Sequence, residues 1–98
     1  MENSSHQESL FAAIADFQRR KILNLLKQRE LSVAEMKSHF DISGATLSHH
    51  LNMLKAADLV RVRRKGQQRI YTLNLSVAEE LLISIKQLFD RGYDDENY

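Results

Sequence analysis

The chain has no cysteine, no proline and only three glycines in 98 residues. Without cysteine there is no disulfide, no thiolate metal site, no cysteine nucleophile and no thiol redox sensor. Without proline, and with so little glycine, a loop-rich or all-β architecture is disfavoured and long helices are expected. Apolar clusters such as Leu81-Leu82-Ile83 fall far short of the roughly 20 residues that span a bilayer. The polar opening Met1-Glu2-Asn3-Ser4-Ser5-His6 lacks the apolar segment of a secretory signal, so a cytoplasmic location without membrane insertion is expected. There is no Gly-rich phosphate loop, no Gly-x-Ser-x-Gly and no zinc-protease motif, and an enzyme is not expected. Ser48 beside His49 is not a catalytic dyad, because neighbours on a helix face different ways.

What the chain does contain is an ordinary apolar fraction, 43%, enough for one globular domain over residues 1–98. A chain this short buries only about two-thirds of its unfolded surface, so a dimer interface would add useful stability. The net charge of +1 hides a strong asymmetry. Residues 1–42 balance six cations against six acids, and residues 73–98 carry −4. Residues 43–72 hold Lys55, Arg61, Arg63, Arg64, Lys65 and Arg69 against Asp58 alone, a net +5. Positive charge confined to one segment is the footprint of a polyanion-binding patch.

Residues 1–5 are expected to be a disordered tail. Ser5 and Glu8 have capping-box spacing, and Leu10, Phe11, Ile14 and Phe17 follow at helical intervals. Asp16 is expected to cap a second helix reaching about Lys27, with Ile22, Leu23, Leu25 and Leu26 on its apolar face. Arg19, Arg20 and Lys21 near its start read by default as a solvated face or as partners of Asp16, and otherwise as phosphate contacts. Ser32 and Glu35 form a further capping box for a short helix to about Phe40. A turn at 41–44 follows, then a helix capped by Ser43, which is the helix-turn-helix pattern. From Val60 the period changes to two. Residues 59–64 and 68–73 are expected to pair as a β-hairpin turning at Gly66, with basic residues around its tip. Ser76 and Glu79 suggest a last capping box, ahead of Val77, Leu81, Ile85 and Leu88, with Ala78, Leu82 and Phe89 alongside. Gly92 is a plausible stop, and 93–98 an acidic disordered tail.

The stretch from Ser43 to Leu59 organises the rest. On a wheel of about 100° per residue, Leu47, Leu51 and Leu54 form one buried stripe. Ala45, His49, Asn52, Met53 and Ala56 point away from it, and a face of small or polar side chains suits a helix pressed into a DNA groove. Thr46 and Ser48 flank the helix N-terminus, where base edges are usually met. His50 lies about 60° off the apolar centre and reads as a packing histidine. Adjacent histidines about 100° apart do not converge on one ion, so no metal site is expected there. In the hairpin, Arg63, Arg64, Lys65, Gln67, Gln68 and Arg69 crowd around Gly66. Alone this would be a solvated tip; behind a helix-turn-helix it reads as a wing that neutralises phosphates.

These stretches together resemble the ArsR/SmtB family of winged-helix repressors over Ala15 to Leu75. Asp16-Phe17-Gln18-Arg19-Arg20-Lys21-Ile22-Leu23 is similar to the family's Asp-Pro-Thr-Arg-Arg-x-Ile-Leu. Phe40-Asp41-Ile42-Ser43-Gly44-Ala45-Thr46-Leu47-Ser48-His49-His50-Leu51-Asn52-Met53-Leu54 resembles its recognition segment. Arg64-Lys65-Gly66-Gln67-Gln68-Arg69-Ile70-Tyr71-Thr72-Leu73 resembles its wing. The nearest subgroup is that of autorepressors of the sporulation-delaying-protein type. The resemblance implies a mostly α fold with a β-hairpin wing (α+β), a winged helix-turn-helix of order ααααββα, dimerising through its first and last helices. It implies a bacterial, often autoregulatory repressor that binds double-stranded DNA. Combined with the wheel and the wing, it gives Ser43, Thr46, Ser48, His49, Asn52, Arg63, Arg64, Lys65, Gln67 and Arg69 as the DNA-facing residues.

Two departures stand out. Phe17 occupies a position where the family often has proline. The family's metal sites have no counterpart: Leu31-Ser32-Val33-Ala34-Glu35 has no cysteine, and residues 75–91 have no histidine. Neither a metal nor another cofactor is expected, and the inducer would be an unknown protein or small molecule. The alternatives are a metal-responsive repressor with a non-cysteine site built from His6, His39 or the acidic tail, and a winged-helix module that binds an acidic protein.

Overall fold

The computed structural model describes the backbone of residues 2–91 and the side chains of residues 5–91. The elements are α1 (Glu2–Ile14), α2 (Phe17–Leu26), β1 (Leu31–Ser32), α3 (Val33–Lys37), α4 (Gly44–Ala56), β2 (Val60–Lys65), β3 (Gln68–Leu73) and α5 (Leu75–Phe89). This is the expected order of four helices, hairpin and helix, with one short strand added. Gly92 and the acidic tail lie outside the described residues.

Three helix starts follow from local chemistry. Asp16 caps α2, its carboxylate accepting from the N–H groups of Gln18 (2.8 Å) and Arg19 (3.2 Å). Ser32 and Glu35 form the full capping box on α3. Ser43 caps α4, with Thr46 N–H donating to its Oγ at 3.0 Å. Two other starts differ from expectation. Helix α1 begins at Glu2, so Ser5 is a helical residue rather than a cap, and residues 2–5 belong to the helix instead of a tail. Anchoring to α5 accounts for the added turn: His6 Nε2 lies 3.0 Å from Glu80 Oε1, and Gln7 donates to Ser84 Oγ at 3.4 Å. Helix α5 begins at Leu75 behind Asn74, so Ser76 is already inside its first turn. Asn74 is pinned by the hairpin base: its N–H bonds Leu59 O and its side chain donates to Asp58 O.

The end of α3 also comes earlier than Phe40. The N–H groups of His39 and Phe40 bond back to Met36 and Lys37, a tightened last turn. Lys21 then donates to His39 O at 2.7 Å and sits 4.6 Å over the Phe40 ring. Helix α4 stops in a Schellman arrangement: Asp58 adopts φ 61°, its N–H bonds Lys55 O, and Leu59 N–H bonds Leu54 O. Leu54 and Leu59 meet beneath it, both buried.

The sheet is antiparallel, ordered β1-β3-β2. Strand β1 pairs Leu31 with Tyr71 and Ser32 with Ile70. Its two residues have no readable period, and it exists because β3 offers an edge beside the start of α3. Gly66, at φ 62°, occupies the first position of a two-residue hairpin loop, where a II′ turn calls for glycine. The core sits between the helices and the base of this sheet, built on Leu10, Ile22, Met36, Leu47, Leu51 and Leu54, with Tyr71 and Leu81 closing it.

Candidate nucleic-acid interface

Leu47, Leu51 and Leu54 are all buried, which fixes the rotation of α4 and turns Ser48, His49 and Asn52 to solvent. Met53, expected on the outer side, is partly buried. At the helix start, Ser43 Oγ donates to Thr46 Oγ1 at 2.9 Å while accepting from Thr46 N–H. Ser43 is thereby occupied in holding the turn, whereas the Thr46 hydroxyl proton is left to donate outward.

Ser48 and Asn52, one turn apart, line a cleft of about 430 Å³ between α4, the start of α3 and the wing. Gln67, Gln68 and Arg69 form its far wall. A second cleft, about 290 Å³, is lined by Lys55, Val62, Arg63, Arg64 and Arg69. Lys55 was not among the expected DNA-facing residues, yet it lines this cleft. It stands seven residues after Ser48 and three after Asn52, so the helical wheel already placed it on the same face. Thr46 and His49 stay exposed outside both clefts, toward the N-terminal part of α4.

The wing cations differ in how free they are. Arg63 makes a 2.8 Å ion pair with Glu30, each side chain about half exposed. Lys65 lines a groove with Arg29, Glu30 and Glu35. The Glu35 carboxyl is held below its usual range by hydrogen bonds from Ser32, outweighing a small effect of burial, with the charges of Arg29 and Lys65 adding to this. Arg64 and Arg69 sit directly opposite each other across the hairpin and so share one face. Neither makes an ion pair among the described residues. Like charges in that position weaken a strand pair unless an anion lies between them.

The cationic triplet at the start of α2 behaves otherwise. Arg19 is buried, donating through Nε to Ala13 O (2.8 Å) and through Nη2 to Ala12 O (2.9 Å). Arg20 donates to Ile14 O. These side chains satisfy the free carbonyls at the end of α1. Arg19 is thus neither a solvated cation nor a phosphate contact, because it is needed where the chain turns between α1 and α2. His50 is more deeply buried than the flank position suggested, at 7% exposure. His6 pairs with Glu80, His39 is exposed, and no group of three His, Cys, Asp or Glu among the described residues is placed to hold a metal.

A capped helix with a polar outer face, following a short helix and turn and flanked by a cationic two-stranded wing, defines a winged helix-turn-helix transcriptional regulator. The sequence profile of bacterial regulatory proteins of the arsR family matches residues 16–62. The chain is 39% identical over 87 residues to the transcriptional repressor SdpR of Bacillus subtilis, covering 89% of this chain and 97% of that one. Among solved structures it resembles HlyU of Vibrio cholerae (TM-score 0.71, 32% identity, 90% of this chain and 97% of the other). It also resembles a possible transcriptional regulator for arsenical resistance (TM-score 0.79, 28% identity, 89% and 91%). The chain belongs to the arsR family, whose members are transcriptional regulators and not enzymes.

Proposed function

We propose that this protein is a sequence-specific DNA-binding repressor that acts in the bacterial cytoplasm as a homodimer on a palindromic operator, its own promoter included among the targets. The observation that carries the reading is the opposed Arg64–Arg69 pair, without an acidic partner among the described residues, beside the Ser48–Asn52–Lys55 face of α4. Thr46, Ser48, His49 and Asn52 are the base-reading candidates, with Ser43 setting their register. Arg63, Arg64, Lys65, Gln67 and Arg69, joined by Lys55, hold flanking phosphates. The repressor named among the relatives supports the sign of regulation.

The dimer reading rests on α5. Leu75, Leu82 and Phe89 are 67%, 66% and 78% exposed and recur every seven residues, with Ala78 and Ile85 between them. That is an a/d heptad pattern in which the a positions Leu75, Leu82 and Phe89 are exposed, while Ala78 and Ile85 at d are half-buried against the core. Helix α1 lies alongside α5, so the two terminal helices would form the interface together. No helix among the described residues is long and apolar enough to cross a membrane, so a bilayer-spanning role does not compete for this face.

The test is selection of bound duplexes from a random-sequence pool, followed by salt titration on the best one. Two half-sites spaced about 10–10.5 base pairs, or a multiple, centre to centre are expected. Log affinity should fall linearly with log salt, at a slope of about −0.9 per phosphate neutralised. Absence of duplex binding at low salt, or recovery of single half-sites without symmetry, would overturn the DNA or the dimer reading respectively.

A further inference from the structure

Resting on the DNA-binding reading above, we propose that the buried Arg19–His50 contact positions the recognition helix α4, and that tight operator binding requires His50 to be neutral with Nδ1 as acceptor. The geometry is specific. Arg19 Nη1 lies 3.1 Å from His50 Nδ1, while Nε and Nη2 of the same guanidinium hold the carbonyls of Ala13 and Ala12. One side chain therefore ties the end of α1 and the start of α2 to the middle of α4. A guanidinium has donors only, so His50 Nδ1 must offer its lone pair. The neutral ring then carries its proton on Nε2, which faces Asp16 Oδ2 at 3.8 Å.

Protonating His50 removes that acceptor and sets two cations against each other inside the fold. The charged or titratable groups acting on His50 are Asp16 from the joint between α1 and α2, Arg19 from α2, and His49 from α4 itself. Helix α1 contributes the carbonyls of Ala12 and Ala13, both taken up by Arg19. Asp16 favours the imidazolium, but its Oδ2 already accepts two backbone N–H groups. Burial, followed by Arg19 and His49, holds the His50 pKa below 6.5 against the pull of Asp16. The neutral ring is therefore the resting form at neutral pH. As pH falls through the depressed value, the contact is lost, and α4, then held by its leucine stripe alone, carries Ser48, His49 and Asn52 in a looser placement together.

The experiment compares operator affinity from pH 5 to 8, at constant ionic strength, for the wild-type chain, His50→Asn and His50→Leu, using the best duplex from the random pool. Asn places a non-titrating acceptor where Nδ1 was. It should bind within a few-fold of wild type at pH 7.5, and the two profiles should then diverge. Wild type loses up to about tenfold more per pH unit once His50 protonates, as one linked proton requires. His6, His39 and His49 are the same in both chains, so the difference between the two profiles is read at position 50. His50→Leu should bind at least about tenfold more weakly than wild type at pH 7.5 and converge with it as pH falls, with its helix content retained by circular dichroism. Should His50→Leu fail to fold, imidazole nitrogen resonances of the wild type read the same joint directly, and the Nε2–H tautomer is expected at pH 7. Parallel profiles for wild type and His50→Asn, or a proton on Nδ1 at pH 7, would overturn the positioning role while leaving the DNA reading intact. If wild type bound no duplex at any pH, both readings would fall.

Discussion

Helices α4 and α5 are close to the same length, and each sinks one stripe into the same core. Leu47, Leu51 and Leu54 anchor the first; Leu81 and Ser84, with Val77 half-buried, anchor the second. Their outer faces are opposites. Helix α4 turns Ser48, His49, Asn52 and Lys55 to solvent, whereas α5 turns Leu75, Leu82 and Phe89. Backbone and core packing alone would make these helices interchangeable. The uncovered faces tell them apart: one is polar and lies beside Arg64 and Arg69, which have no acidic partner among the described residues, and that suits a polyanion. The other is apolar and periodic, which suits a second copy. Burying each such side chain is worth about 1.5–3 kcal/mol, so a seam of three is a substantial reservoir of association energy.

The comparison breaks most visibly if the two helices are cut in corresponding ways. Leu47→Ala removes a fully buried side chain from α4 and should destabilise the fold by about 2–5 kcal/mol in urea unfolding. That is a large share of the roughly 5–15 kcal/mol available to a small domain. Leu82→Asp with Phe89→Asp should leave the folded helix content intact, because both side chains are exposed in the monomer. It should instead convert a dimer to a monomer in sedimentation and cost operator affinity at least about 100-fold, since two half-sites no longer bind as a unit. If that double variant lost its helix content, the seam would belong to the core, and if it stayed folded and dimeric the seam would not be the interface; either result would break the contrast with α4.

How far each face was readable from the sequence depended on range. Asp16, Ser32 with Glu35, and Ser43 were legible as caps because the bonded groups lie within three residues of one another. Ser5 and Ser76 carry the same signature and fail, because contacts from far along the chain moved both helix starts: α5 extends α1, and the hairpin base seats Asn74. Strand β1 was invisible for a related reason, its two residues being a strand only opposite Tyr71 and Ile70. The sequence presents Arg19 as a surface cation, a partner of Asp16 or a phosphate contact. Its burial under α1 depends on carbonyls that become free only once α1 ends at Ile14. The buried stripe of α4 was legible from period alone. Lys55 lies on the same wheel face as Ser48 and Asn52, but one lysine on a helix is a weak signal beside the cations clustered around Gly66.

The wing offers a sharper, smaller contrast within the cationic face itself. Arg64 and Arg69 have no acidic partner within ion-pair distance among the described residues, whereas Arg63 is paired with Glu30. Replacing Arg64 and Arg69 by Ala should reduce the salt slope of DNA binding by about 1.8, at 0.9 per lost phosphate contact. Arg63→Ala should change it by less, because Glu30 already offsets part of that charge. Equal changes for all three would mean that the Glu30 pair opens on binding, and the wing would then present one uniform cationic edge.

The smallest effect is expected where α4 stops. Its left-handed stop is Asp58 at φ 61°, a conformation that glycine adopts without penalty, while α5 gives way to extended backbone at Asp90. Asp58→Gly relieves the left-handed strain but makes the unfolded chain more flexible, and the two terms nearly offset each other. A net gain of about 0.5 kcal/mol in thermal unfolding is expected, together with slightly tighter DNA binding, because Asp58 is the one acid between residues 43 and 72. Asp58→Ala keeps the charge change and loses the relief, since alanine resists positive φ. A tighter complex from both variants, with a gain in stability from glycine alone, would separate the electrostatic role of this position from its conformational one. A loss of stability in both would mean that the Asp58 side chain itself supports the turn from α4 into the wing.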